Sequence, residues 1–227
     1  VLALRDMTTV SKLSEAVAYH TSHDSLTGLA NRESFSIELE GILSSSNSHK
    51  PVYALAYIDI DRFKIINDTC GHGTADTMLI KIADVLKTYS KEVNYSARLG
   101  GDQFGLIIES ENEKEAVAAI NELHNAFHKH KLKIKNRVFA YDTSIGISFL
   151  DASSDSVSEF LAEADDACFL AKEEGGNRIK VFNKKENQFQ QHRGEMEWVS
   201  KLSKALDEDR FELYIQEIRP LVNLKKV

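Results

Sequence analysis

The sequence predicts an α/β domain, on three observations. Val52–Ile58 is an apolar run of buried-strand length that ends in acids and turns through a basic loop toward a helix. The pair Gly100-Gly101 stands between two apolar stretches, Tyr95–Leu99 and Phe104–Ile108, the pattern of a tight β-hairpin. Apolar residues at spacings of three and four mark helices toward both ends of the chain. At 227 residues there is enough chain for one ample core, or for one domain with further pieces.

In chain order, residues 1–20 place Leu4, Met7, Val10, Leu13 and Val17 on one helical stripe, as a helix packed on its own domain needs. Residues 21–184 form the α/β body. Its first strand delivers Asp59-Ile60-Asp61 to its end; Arg62-Phe63-Lys64 follow, then Asn67 and, nine residues later, Asp76. Strands that end in acids and turn through a basic loop build phosphate and metal sites at sheet edges. In the hairpin, glycines supply the positive φ and thrust Asp102 out at the tip, a rigid carboxylate suited to a metal ion or a phosphate-bearing substrate. Gln103 follows where a second acid is expected. His124 and His128 stand four apart on an expected helix near His130, but no third ligand has metal-site spacing, so a solvated face is expected there. Residues 185–227 open with a polar stretch, then an amphipathic helix over Glu195–Leu206 and a strand-like Phe211–Gln216.

Twenty-eight basic against 35 acidic residues give a net charge of −7. That excludes non-specific nucleic-acid binding, which needs a basic face, and leaves any anionic nucleotide to be met by a few local lysines and arginines. Cys70 and Cys168 lack metal spacing and read as free thiols of a reducing cytosol. No apolar run of membrane-spanning length and no signal peptide is visible. The first residue, Val1, leads to the expectation of an excised cytoplasmic fragment, with room upstream for a membrane-anchored sensor.

Five motifs in order, Asp24–Arg32, Asp59–Asp76, Gly100–Phe104, Asp142–Ser148 and Ala164–Arg178, make the chain resemble the GGDEF family, the diguanylate cyclase domains of bacterial cyclic-di-GMP signalling. The resemblance implies a mixed, mostly antiparallel central sheet flanked by helices, related to the polymerase palm and the nucleotidyl cyclases. It implies two GTP molecules, each held by one subunit of a transient homodimer, and Mg²⁺ or Mn²⁺ as cofactor. Carried over by motif, Asp59, the Ile60 main-chain carbonyl and Asp102 would ligate metal, with Asp102 as an alternative base. Arg62, Phe63, Lys64 and Lys172 would hold phosphates, and Asn67 and Asp76 would read the guanine. Asp61 is left as an exposed strand-end acid without a ligand role. The stripe of residues 1–20 would then serve equally to relay from an upstream sensor domain.

Departures from the family pattern limit the transfer. Gln103 replaces a glutamate, which removes several kcal/mol of gross attraction for a cation at an effective dielectric of about 20. Gly176 stands where a phosphate-contacting arginine is expected, while Arg178 nearby serves structure; Ala75 replaces a glycine before Asp76. Lys91 and Asn94 replace the arginine and aspartate of the inhibitory site, so feedback by cyclic-di-GMP there is not expected. Residues 185–227 resemble the opening of an EAL domain, the cyclic-di-GMP phosphodiesterase module, and stop before its catalytic acids. Three readings follow: a degenerate domain that binds GTP and metal and regulates a C-terminal EAL domain, a slow but working diguanylate cyclase, and a structural or dimerising module that binds no nucleotide.

Overall fold

A strand buried on both faces organises the molecule. In the computed structural model, described for residues 19, 21–44, 51–89, 95–129, 132–134, 137–139, 141–150, 156–184, 202, 204–206, 208, 210–212 and 215–216, that strand is β1 (Val52–Ile60). Its continuous apolar run lets alternate side chains feed two cores rather than one. Ala54, Ala56, Ile58 and Ile60 pack with α3 (His72–Thr88) and α4 (Glu113–Lys129), whereas Leu55 and Tyr57 pack with α1 (Arg32–Ser44) and α5 (Val157–Glu173).

The sheet adds β2 (Tyr95–Gly100), β3 (Gln103–Ser110), β6 (Thr143–Phe149) and β7 (Ile179–Val181) in the spatial order β2-β3-β1-β6-β7. Only β6 and β7 run parallel. This is the mixed, mostly antiparallel sheet flanked by helices that the family resemblance implies. A short hairpin, β4 (Leu132–Ile134) with β5 (Arg137–Phe139), forms a second sheet, and α2 (Phe63–Cys70) links β1 to α3. Gly100 and Gly101 have φ of 132° and 54°, and Gly100 pairs with Gln103, so Asp102 sits at the hairpin tip.

The approach of α5 to β6 depends on one glycine. A Cβ on Gly146 would run into the Ala164 carbonyl oxygen and the Cys168 amide nitrogen. That closeness lets the Cys168 thiol reach the Ser144 carbonyl at 3.3 Å, and burial pushes the thiol up to about 12. Both cysteines are free, as their spacing predicts.

The chain divides into two compact units, residues 1–183 and 184–227. In the second, Leu202 and Lys204–Leu206 are helical, within the helix expected over Glu195–Leu206. The expected strand over Phe211–Gln216 is not found at the described residues 211, 212, 215 and 216, and Ile215 is 88% exposed. A strand needs a hydrogen-bonding neighbour, and among the described residues none pairs with this segment. Residues 1–18, Lys91, Asn94 and His130 lie outside the described residues. Among those described, no helix is long and apolar enough to cross a membrane.

Candidate functional site

The site lies where β1 ends. Asp59 pairs across the sheet with Gln103 on β3 and with Ser144 on β6, and its side chain points to the α5 side of the sheet. From the last turn of α5, the Lys172 ammonium comes within 2.6 Å of Asp59 Oδ1. The residue is only 5% exposed. At 2.6 Å the ammonium occupies Oδ1 as a charge-assisted partner. Gln103, the cross-strand partner of Asp59, places its neutral amide beside the carboxylate. Burial pushes the Asp59 carboxyl above the usual carboxylate range; Lys172 opposes this and the charge of nearby Asp102 adds to it. Burial works against the Lys172 ammonium, but Asp59 outweighs it and lifts the amine above the ordinary lysine range.

A glutamate at 103 is acceptor-only when ionised, whereas the glutamine amide donates. Asp59 therefore has the Lys172 ammonium on one side and a neutral amide, in place of a second acid, as its cross-strand neighbour. Among the described residues no group of three His, Cys, Asp or Glu side chains is arranged for a metal ion. The donors are nonetheless hard oxygens: Asp59, Asp102 and the Ile60 carbonyl at the strand end. They fit a divalent cation such as Mg²⁺ or Mn²⁺, with one acid fewer than a fully charged site.

The loop after β1 begins with Arg62 in the left-handed region, φ 57°, which turns the chain into α2. Arg62 and Lys64 are exposed, while Phe63 packs against the core. Asn67 lies within α2, and its Oδ1 is buried without a hydrogen-bond partner. Asp76 is exposed on α3 next to Ala75, which is 3% exposed and belongs to the core. Arg178 donates to Glu174 at 3.1 Å and to the Gly176 carbonyl, the structural role expected of it. Gly176 has φ 75°, and a Cβ there would lie 2.9 Å from Asp61 Oδ2.

Two expectations need correction. Asp61 is half-buried, not exposed, and its carboxylate accepts bonds from Ser144 Oγ and the Asn177 amide, both at 2.7 Å. His124 and His128 do not form a solvated face either. His124 Nε2 lies 3.0 Å from the Thr143 carbonyl, the two rings meet edge-on at 4.7 Å, and His128 Nδ1 is 3.7 Å from Asp142. Burial holds the His124 imidazole below the ordinary histidine range. The helix turns this pair toward the start of β6, which spacing along one helix does not reveal.

One contact went unread in the sequence. Arg98 donates to both Asp24 oxygens at 3.2 Å and to the Gly101 carbonyl at 3.1 and 2.8 Å. Asp24 also accepts from the Thr27 amide and hydroxyl. The segment before α1 is thereby tied to the hairpin that carries Asp102. The available signal was an aspartate three residues before a threonine, an Asx-turn pattern.

Comparison with known proteins gives this geometry a context. The family model for the diguanylate cyclase GGDEF domain matches residues 21–178. The chain is 35% identical over 182 residues to the probable diguanylate cyclase DgcE of Escherichia coli, covering 80% of this chain and 16% of that protein. It is 33% identical over 224 residues to the cyclic di-GMP phosphodiesterase PdeB of Shewanella oneidensis, covering 97% of this chain and 25% of that protein. The chain thus spans a quarter or less of the length of these relatives. The coiled coil and GGDEF domain of DgcB from Caulobacter crescentus, solved in complex with c-di-GMP, superimposes with a TM-score of 0.70 at 27% identity, over 77% of this chain and 93% of that one.

Proposed function

This chain belongs to the GGDEF family of diguanylate cyclase domains, and we propose that it is a degenerate member that binds GTP with a divalent metal ion and regulates an EAL phosphodiesterase region C-terminal to it. The family acts in cyclic-di-GMP signalling. The observation that carries the proposal is the setting of Asp59 between the Lys172 ammonium and its cross-strand partner Gln103, where the family pattern has an acid at 103.

In the family reaction the 3′-hydroxyl of one GTP attacks the α-phosphorus of the other, forming a P–O bond and releasing pyrophosphate; two such steps give cyclic-di-GMP. A divalent ion supplies charge for the attacking and leaving oxygens when bound. Asp59, Asp102 and the Ile60 carbonyl are the groups to hold it. Lys64 and Lys172 are the cations for the triphosphate, and the loop backbone around Arg62 and Phe63 offers further donors. Asn67, with its unfilled Oδ1, and Asp76 are the groups for the guanine edge. With glutamine at 103 the site has one charge fewer on its metal side. A loss of ~3 kcal/mol in transition-state stabilisation slows turnover about a hundredfold.

The EAL reading is supported by the alignment with the phosphodiesterase PdeB, which reaches 97% of this chain and so runs beyond the GGDEF match that ends at residue 178. A second reading, a slow but active cyclase, is favoured by the survival of both Asp59 and Asp102. Incubation with GTP and Mg²⁺ or Mn²⁺ separates the two. Bound GTP with only trace cyclic-di-GMP is expected, and robust turnover would overturn the regulatory reading. Gln103→Glu is expected to tighten Mn²⁺ binding at least about tenfold by calorimetry, because it returns a carboxylate beside Asp59.

A further inference from the structure

Asp61 has no part in the roles above, yet three segments converge on it. Its amide donates to the Asp142 carbonyl at 2.9 Å. Its Oδ1 accepts from Ser144 Oγ on β6, and its Oδ2 accepts from the amide of Asn177. Asn177 belongs to the turn that ends α5. There the Gly175 amide donates to the carbonyl of Lys172 and the Gly176 amide to that of Ala171, both at 3.0 Å. Gly175, Gly176 and Asn177 have φ of 112°, 75° and 53°. Asn177 is the non-glycine residue in this run, so a bond from outside helps to hold the left-handed path.

A carboxylate near a helix C-terminus opposes the helix dipole, so capping electrostatics do not account for Asp61. Its bonds do. They tie the end of β1 to the turn formed on the Lys172 carbonyl, while the Lys172 side chain reaches back to Asp59, two residues before Asp61 on the same strand. The virtual Cβ of Gly176, 2.9 Å from Asp61 Oδ2, shows how closely the turn is drawn onto the carboxylate.

We propose that Asp61 is a positioning residue for Lys172: by anchoring the turn at residues 175–177 to the end of β1, it holds the ammonium over Asp59, where metal and triphosphate would meet. This rests on the reading of Lys172 as a nucleotide-binding cation, and the test is built to separate the two.

Trace labelling of amines by acetic anhydride, read by mass spectrometry on the whole 227-residue chain without ligand, reports on Lys172 alone. In Asp61→Ala both accepting oxygens are lost, and Lys172 is expected to label about tenfold faster, with exposed Lys64 unchanged as the internal reference. An unchanged Lys172 rate in the folded variant overturns the proposal. Should Asp61→Ala fail to fold, Asp61→Leu, which fills the space without accepting a hydrogen bond, decides instead. A rise supports the proposal and no rise overturns it. A double-mutant cycle on Mn²⁺-GTP affinity supplies the second readout. Asp61→Ala is expected to weaken binding about tenfold in the wild-type background and to have no further effect with Lys172→Ala. Equal losses in both backgrounds would place the action of Asp61 elsewhere. A wild-type chain that binds no GTP sinks the nucleotide reading, while the labelling still judges Asp61.

Discussion

On the proposed reading of Lys172 as a phosphate-binding cation, it cannot serve Asp59 and a triphosphate equally at the same moment, and this competition has a measurable sign. Its ammonium lies 2.6 Å from a carboxylate that is nearly sealed from water. Removing it leaves Asp59 open to a cation but takes a charge from the phosphates. Lys172→Ala is therefore expected to bind Mn²⁺ alone about fivefold more tightly and Mn²⁺-GTP at least about tenfold more weakly. Calorimetry that shows both affinities falling together would exclude the competition. Restoring the family arginine at 176 is a different case. Gly176 is left-handed, and any Cβ there meets Asp61 Oδ2 at 2.9 Å. Gly176→Arg is expected to cost about 1–3 kcal/mol of stability in urea unfolding. The acids Asp59 and Asp102 were legible because a strand end and a glycine turn fix them locally. The pairing of Lys172 with Asp59 and the bonds of Asp61 were not, because they depend on which strands become neighbours and on how α5 ends.

Among elements, the hairpin β2–β3 is held by more than its own ladder. Arg98 joins Asp24 to the Gly101 carbonyl, so the segment before α1 is tied to the turn bearing Asp102. Burial works against ionised Asp24, but the Thr27 bonds and the Arg98 guanidinium outweigh it and hold the carboxyl below its usual range. A carboxyl depressed in the folded state stabilises fully above its unfolded value, near 4, and loses that contribution as pH falls through the lower folded value. Arg98→Ala should accordingly lower stability by about 1–3 kcal/mol at neutral pH, with the difference from wild type shrinking below pH ~4. A difference that stays constant down to pH ~2 would assign the effect to packing instead. The elements themselves were unequally legible. β1 and the hairpin declare themselves as apolar runs, because strands between two helical layers need them. The three-residue β7 carries too short a pattern, and it becomes a strand only because β6 offers a parallel edge. The histidines of α4 looked solvated because their helix shows two polar rings at one spacing, and only the sheet below reveals the Thr143 carbonyl.

The buried apolar residues of both cores run from Leu29 to Ala171, so the first compact unit contains its own means of folding. The described apolar residues of the second unit include Leu202, Leu206, Phe211 and Ile215, each about half exposed or more (49%, 70%, 58% and 88%). Large exposed apolar side chains gathered in one short segment suit a surface that is covered by something else. On the EAL reading, that cover is the rest of the phosphodiesterase region, and the GGDEF unit contributes regulation to it, not stability. A chain ending at Asn183 is then expected to melt within roughly 2 °C of the full 227 residues and to keep the same affinity for Mn²⁺-GTP. A fall of several degrees would mean that the GGDEF unit depends on the C-terminal segment for its own fold. Extending the chain instead, into a protein with a complete EAL region, should make GTP change phosphodiesterase affinity or rate by a factor of about 5–150, the usual span of coupling between two sites. Reciprocity sharpens the test for binding. If GTP alters the affinity for cyclic-di-GMP at the EAL region, cyclic-di-GMP must alter the affinity for GTP by the same factor. If GTP binds but both factors are unity, the two modules share a chain without sharing a free energy.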